Sequence, residues 1–157
     1  MYNQKVLSHF KRPHNFGKIK NPDGVGKVGN VVCGDQMHLY IKVEKKDKKE
    51  IISDVKFKTY GCVAAIASSS MITDLTKGKT LQKALRINKN TVIKSLGELP
   101  PVKIHCSVLA ADALAEAIYD YLKKNNKKIP IELKKRHKRL EKEKEIINEK
   151  YRGWVDE

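Results

Sequence analysis

Hydrophobic and polar positions change period several times along the chain, and each change marks an expected element. Val6, Leu7 and Phe10 recur at helical spacing within residues 3–11. Pro13 should close that short helix, because proline disfavours helical geometry in the residue before it. Residues 13–30 hold two prolines and four glycines and read as loop and turn, with residues 25–32 available as a strand. Met37, Leu39, Ile41 and Val43 then alternate with His38, Tyr40, Lys42 and Glu44. After the polar link 45–50, Ile51, Val55, Phe57 and Thr59 share one parity, opposite Asp54, Lys56 and Lys58. Period two predicts strands with one buried and one wet face, and the short link predicts an antiparallel hairpin.

Gly61 should end the second of these strands. A helix is expected from Cys62 to Lys77, with Gly78 as its stop. Short helices are expected over 80–86 and 89–95, and residues 97–101 should be extended. Cys106, Leu109, Ala110, Ala113, Leu114, Ala117, Ile118 and Tyr121 mark a long amphipathic helix. Pro130 suits the first turn of a last helix. In it Leu133, Leu140, Ile147 and Trp154 recur every seven residues, a narrow seam on a charged helix that should dock on its own domain rather than form a strong coiled coil. The expected fold is α+β: a small three-stranded antiparallel sheet, helices packed on one face, ligand loops at one end, and a C-terminal helical extension. The expected division is a domain over 1–123 and a basic helical extension over 124–157.

The chain has 157 residues, 40% of them hydrophobic, which supports one domain with a modest core. No apolar run approaches the length of a membrane span, and the N-terminus lacks the apolar block of a secretory signal. A cytoplasmic protein without a membrane partner is expected. The formal charge is +15. Residues 123–157 hold 13 basic and 7 acidic residues, so the excess is spread over domain and tail. Such a balance raises one alternative, a basic nucleic-acid-binding module with structural cysteines. No motif with aromatic platforms accompanies the charge, so a solvated lysine-rich surface is the simpler reading and nucleic acid is not expected as a partner.

The three cysteines each fall at an element boundary. Cys33 precedes a strand, with Asp35 two residues on; Cys62 lies between strand and helix; Cys106 opens the long helix, beside His105. An odd count argues against a complete disulfide framework. Close CxxC pairs, the mark of a structural zinc site, are absent. A helix N-terminus is electropositive and lowers a thiol pKa, which favours metal ligation and sulfur nucleophilicity, and Lys103 would modulate Cys106 in the same direction. The plain alternative is cysteine as a small buried hydrophobe.

VVCGDQM, FKTYGCVAAIASSS and LPPVKIHCSVLAADAL, in that order, resemble the three blocks of the IscU/NifU-N iron–sulfur cluster assembly scaffold family. YNQKVLSHFKRPHNFG is similar to that family's opening, so the resemblance covers about residues 2–123. It implies a scaffold, not an enzyme, that builds a [2Fe–2S] cluster from iron and desulfurase-derived sulfur and passes it on. By matching positions, Cys33, Cys62 and Cys106 would be the thiolate ligands, with Asp35 and His105 competing for the fourth place. Cys106 would be the main sulfur acceptor, receiving a persulfide, and zinc would bind the same residues when iron is absent. Implied partners are a cysteine desulfurase, apo iron–sulfur acceptor proteins, a ferredoxin and a second copy of the chain. Leu99, Pro100, Pro101, Val102 and Lys103 match the segment gripped by DnaK-class chaperones, and an extended peptide is expected there.

Val63-Ala64 replace the glycine pair usual after the second cysteine, and Val31-Val32 stand where a proline is common. A further alternative within the resemblance is a zinc-binding sulfurtransferase partner of the desulfurase. That branch carries an insertion before the third cysteine and lacks the neighbouring histidine, whereas this chain keeps His105.

Overall fold

The structure is a computed structural model that describes residues 2–30 and 34–151. Cys33 and Trp154 lie outside the described residues. The elements run α1 (Gln4–Lys11), β1 (Gly24–Gly29), β2 (Gln36–Lys46), β3 (Lys49–Tyr60), α2 (Val63–Thr76), α3 (Leu81–Leu85), α4 (Lys89–Leu96), α5 (Ile104–Lys124) and α6 (Ile131–Tyr151). A single 3-10 turn, Pro101–Lys103, leads into α5.

The sheet is antiparallel in the order β1-β2-β3, and Gly26, Leu39 and Phe57 stand side by side across it. Met37, Leu39, Ile41, Val55 and Phe57 point to the inner face and are fully buried. Helices α2 and α5 cover that face. The approach of α5 to β1 requires a residue without a side chain, since a Cβ on Gly26 would lie 2.0 Å from the Ala113 carbonyl oxygen.

Several local expectations change. The hairpin turn is only Asp47-Lys48, both at positive φ, as a two-residue turn matched to strand twist demands, so both strands run longer than the alternation implied. An irregularity in register between Lys42 and Val43 shifts the side-chain parity across the far end of the hairpin, and Ile52 is buried in place of Ile51. His38 and Tyr40, expected on a wet face, are buried. His38 is flanked across the sheet by Lys27 and Lys58. In α1 the inward positions are Val6 and His9, while Phe10 is exposed.

The last helix docks through Leu133, Leu140 and Ile147, all buried, against α5 and the edge strand β1. Polar contacts set its register. Asp112 accepts from Arg136 Nε at 2.9 Å and Arg139 Nη2 at 3.1 Å. His137 pairs with Glu116 at 2.8 Å and stacks on the Tyr119 ring.

Candidate metal centre

Three segments distant in sequence meet at one end of the sheet. Gly34 turns at φ +76, its N–H bonds the Asn30 carbonyl, and the Asn30 N–H bonds the Asp35 carbonyl. These bonds hold Asp35, nearly buried, at the start of β2. Cys62 occupies the N-cap of α2. His105 and Cys106 sit in the first turn of α5.

The side chains converge. Cys62 Sγ and Cys106 Sγ are 3.6 Å apart, and each thiol is 3.7 Å from Asp35 Oδ2. His105 Nε2 lies 3.6 Å from Cys106 Sγ. Two thiolates bound tetrahedrally to one ion at about 2.3 Å stand roughly 3.8 Å apart, so the spacing suits ligation of a common metal. Asp35 and His105 both reach Cys106, and Asp35, His105 and Cys106 could jointly hold an ion. The donor set of two sulfurs, one carboxylate oxygen and one imidazole nitrogen is soft with one hard member.

The two thiols differ in setting. Cys106 is fully buried, whereas Cys62 is half-buried. The hydrogen bond with Cys106 pulls the Cys62 pKa down; burial and the Asp35 charge oppose this, and the Ala65 N–H in the first turn of α2 and the Lys103 ammonium help, bringing it to about 6. Lys103 is in turn raised, first by the Cys62 charge. The Tyr2 hydroxyl is raised by burial and then by Cys62, and Tyr2 packs, partly buried, against the core.

The family model for the NifU-like N terminal domain matches residues 1–128. The chain belongs to this family. It is 58% identical over 127 residues to "Iron-sulfur cluster assembly scaffold protein IscU 1" of Archaeoglobus fulgidus, covering 81% of this chain and 80% of that one. It is 52% identical over 130 residues to "Iron-sulfur cluster assembly scaffold protein IscU" of Escherichia coli K12, covering 81% and 98%. The fold is that of the N-terminal NifU-like protein of Brucella abortus, with a TM-score of 0.59 at 23% identity, over 78% of this chain and 94% of that one. The family match takes in Asp35, Cys62, His105 and Cys106, and ends before α6.

The Leu99–Lys103 segment departs from the uniformly extended peptide expected of it. Leu99 is buried and Pro100 extended, but Pro101, Val102 and Lys103 curl into the 3-10 turn that aims His105 and Cys106. Val102 is 76% exposed. The alternation did not reveal the role of Gly61, where a Cβ would approach Asp35 Cγ to 3.0 Å. Nor did spacing tie Ser70 to a histidine, yet Ser70 Oγ lies 2.7 Å from His9 Nδ1.

Proposed function

We propose that the chain is a scaffold on which an iron–sulfur cluster is built as cargo from iron and desulfurase-derived sulfur, then passed to apo-proteins. The observation that carries this is the Asp35 carboxylate held at one distance from two thiols. An electron carrier commonly seals its cluster with four thiolates. A carboxylate matches iron–sulfur ligation less well and leaves one position exchangeable. The E. coli and A. fulgidus relatives bear scaffold names, which supports the same reading.

In this reading the cargo is a [2Fe–2S] cluster held by Cys33, Cys62 and Cys106, with Asp35 or His105 in the fourth place, and zinc binds there when iron is absent. A thiolate attacks the outer sulfur of the desulfurase persulfide and releases the desulfurase thiolate, so no external oxidant is needed. Cys106 accepts that sulfur once its burial is relieved, and Cys62 offers the more exposed thiolate. The protein works in the reducing cytoplasm, without enzymatic turnover of its own. Its partners are the desulfurase, acceptor apo-proteins, a ferredoxin and a second copy of the chain. Val102 is the apolar handle for a DnaK-class chaperone. Residues 1–123 carry the site, and 124–157 are an extension that stabilises it in cis.

Anaerobic reconstitution with ferrous iron, cysteine, a desulfurase and a thiol reductant, which supplies the electrons that turn persulfide sulfur into sulfide, tests the reading. The visible spectrum of a [2Fe–2S] centre, followed by its transfer to an apo-ferredoxin, is the expected result. A colourless protein that holds one zinc and stimulates the desulfurase would instead support the sulfurtransferase alternative.

A further inference from the structure

We propose that His9, His14 and Asp74 form a second metal site, which takes a first-row divalent transition-metal ion through two imidazole nitrogens and one carboxylate oxygen. One candidate ligand atom from each residue lies within 4.8 Å of the other two. The three come from different places: His9 from the last turn of α1, His14 from the loop after it, and Asp74 from the C-terminal part of α2. Asp74 is twelve residues beyond Cys62, about 18 Å along the helix, so this is not the cysteine centre.

The loop that carries His14 is fastened to α2. The His14 N–H donates to Ser70 Oγ at 2.8 Å, and Asn15 Nδ2 donates to Thr73 Oγ1 at 2.9 Å. Ser70 Oγ also lies 2.7 Å from His9 Nδ1. A ligating histidine commonly uses one ring nitrogen for the metal while a polar partner orients the other. Ser70 supplies that partner and leaves His9 Nε2 for the ion. His14 Nδ1 and Asp74 Oδ2 are 2.6 Å apart and share a proton, which an entering cation would replace.

Exposure fits a shallow site with one open side. His9 is 7% exposed and forms the floor. The side chains of His14 and Asp74 are 52% and 36% exposed, which leaves room for water to complete the coordination. Two imidazoles with one carboxylate suit iron(II), cobalt(II) or zinc(II) better than magnesium or calcium. The site contains no thiolate and does not depend on the scaffold reading.

The test is equilibrium dialysis of the full chain against Co2+, with the absorption spectrum recorded. Wild type is compared with His14→Ala and Asp74→Asn, both substitutions on exposed side chains. Each variant should bind one ion fewer per chain, with the near-ultraviolet cobalt–thiolate bands of the cysteine centre unchanged. Ser70→Ala should weaken the second ion by about tenfold. Equal ion counts in wild type and His14→Ala would overturn the proposal. So would loss of the thiolate bands together with the ion, since that would mark a structural effect on the cysteine centre. A Cys62→Ser/Cys106→Ser chain that folds should keep one ion with only weak visible bands, and no bound ion there would also count against the site. If that chain does not fold, the comparison of wild type with His14→Ala decides alone.

Discussion

Cys62 Sγ and Cys106 Sγ lie 3.6 Å apart, yet only Cys62 is reached by solvent. The Cys62 pKa is near 6, so in metal-free protein it is thiolate at neutral pH. Iodoacetamide should modify Cys62 well before Cys106 at pH 7, and the Cys62 rate should fall off only below about pH 6. Peptide mass spectrometry against time reads both rates. Faster modification of Cys106 would contradict the geometry.

Gly26 fits under α5 only because it lacks a Cβ. Gly26→Ala should cost about 3 kcal/mol, because the helix backbone must shift away from the strand. Urea unfolding measures this. A change below about 0.5 kcal/mol, typical of a surface substitution, would mean that the α5–β1 approach is looser than described.

The docking of α6 separates two neighbouring isoleucines. Ile147 is 1% exposed and Ile146 52%. Ile147→Ala should destabilise by about 2 kcal/mol, at the lower end of the range for a buried isoleucine because the site is near a helix end. Ile146→Ala should stay within about 0.5 kcal/mol. Equal effects, or limited proteolysis that removes α6 without lowering Tm, would contradict docking in cis.

His38 gives a pH signature. Burial lowers its pKa first, and Lys27, Lys18, Lys144 and Lys58 add to the effect, bringing it to about 4. The unfolded chain, with an ordinary histidine near 6.5, binds more protons between these values. Stability should therefore fall as pH drops from about 6.5 towards 4, by about 3 kcal/mol, and level off below. His38→Gln should flatten that part of the profile. In NMR the His38 ring should not titrate above pH 5, and a midpoint near 6.5 would refute the assignment.

Much of this was legible in the sequence, for identifiable reasons. Period two in β2 and β3 located the sheet, and the spacing from Leu109 to Tyr121 located α5, because a one-sided core imposes those periods. The seam of Leu133, Leu140 and Ile147 told which face of α6 is buried. What stayed hidden depends on contacts between segments. The irregularity after Lys42 swaps Ile51 for Ile52, and no local pattern announces it. His9 is buried because Ser70, sixty-one positions away, meets its ring. At the centre, the residue types of Asp35, Cys62, His105 and Cys106 were readable, but their convergence on one point needed the fold.

The central claim is that Asp35 makes the cluster releasable. It is tested most directly by loading wild type and Asp35→Ala anaerobically to the same iron and sulfide content, then following transfer to an apo-ferredoxin by circular dichroism. The account predicts a longer-lived cluster in Asp35→Ala and transfer about tenfold slower, the change that about 1.4 kcal/mol in the release barrier produces. Equal lifetimes and equal transfer rates would contradict it.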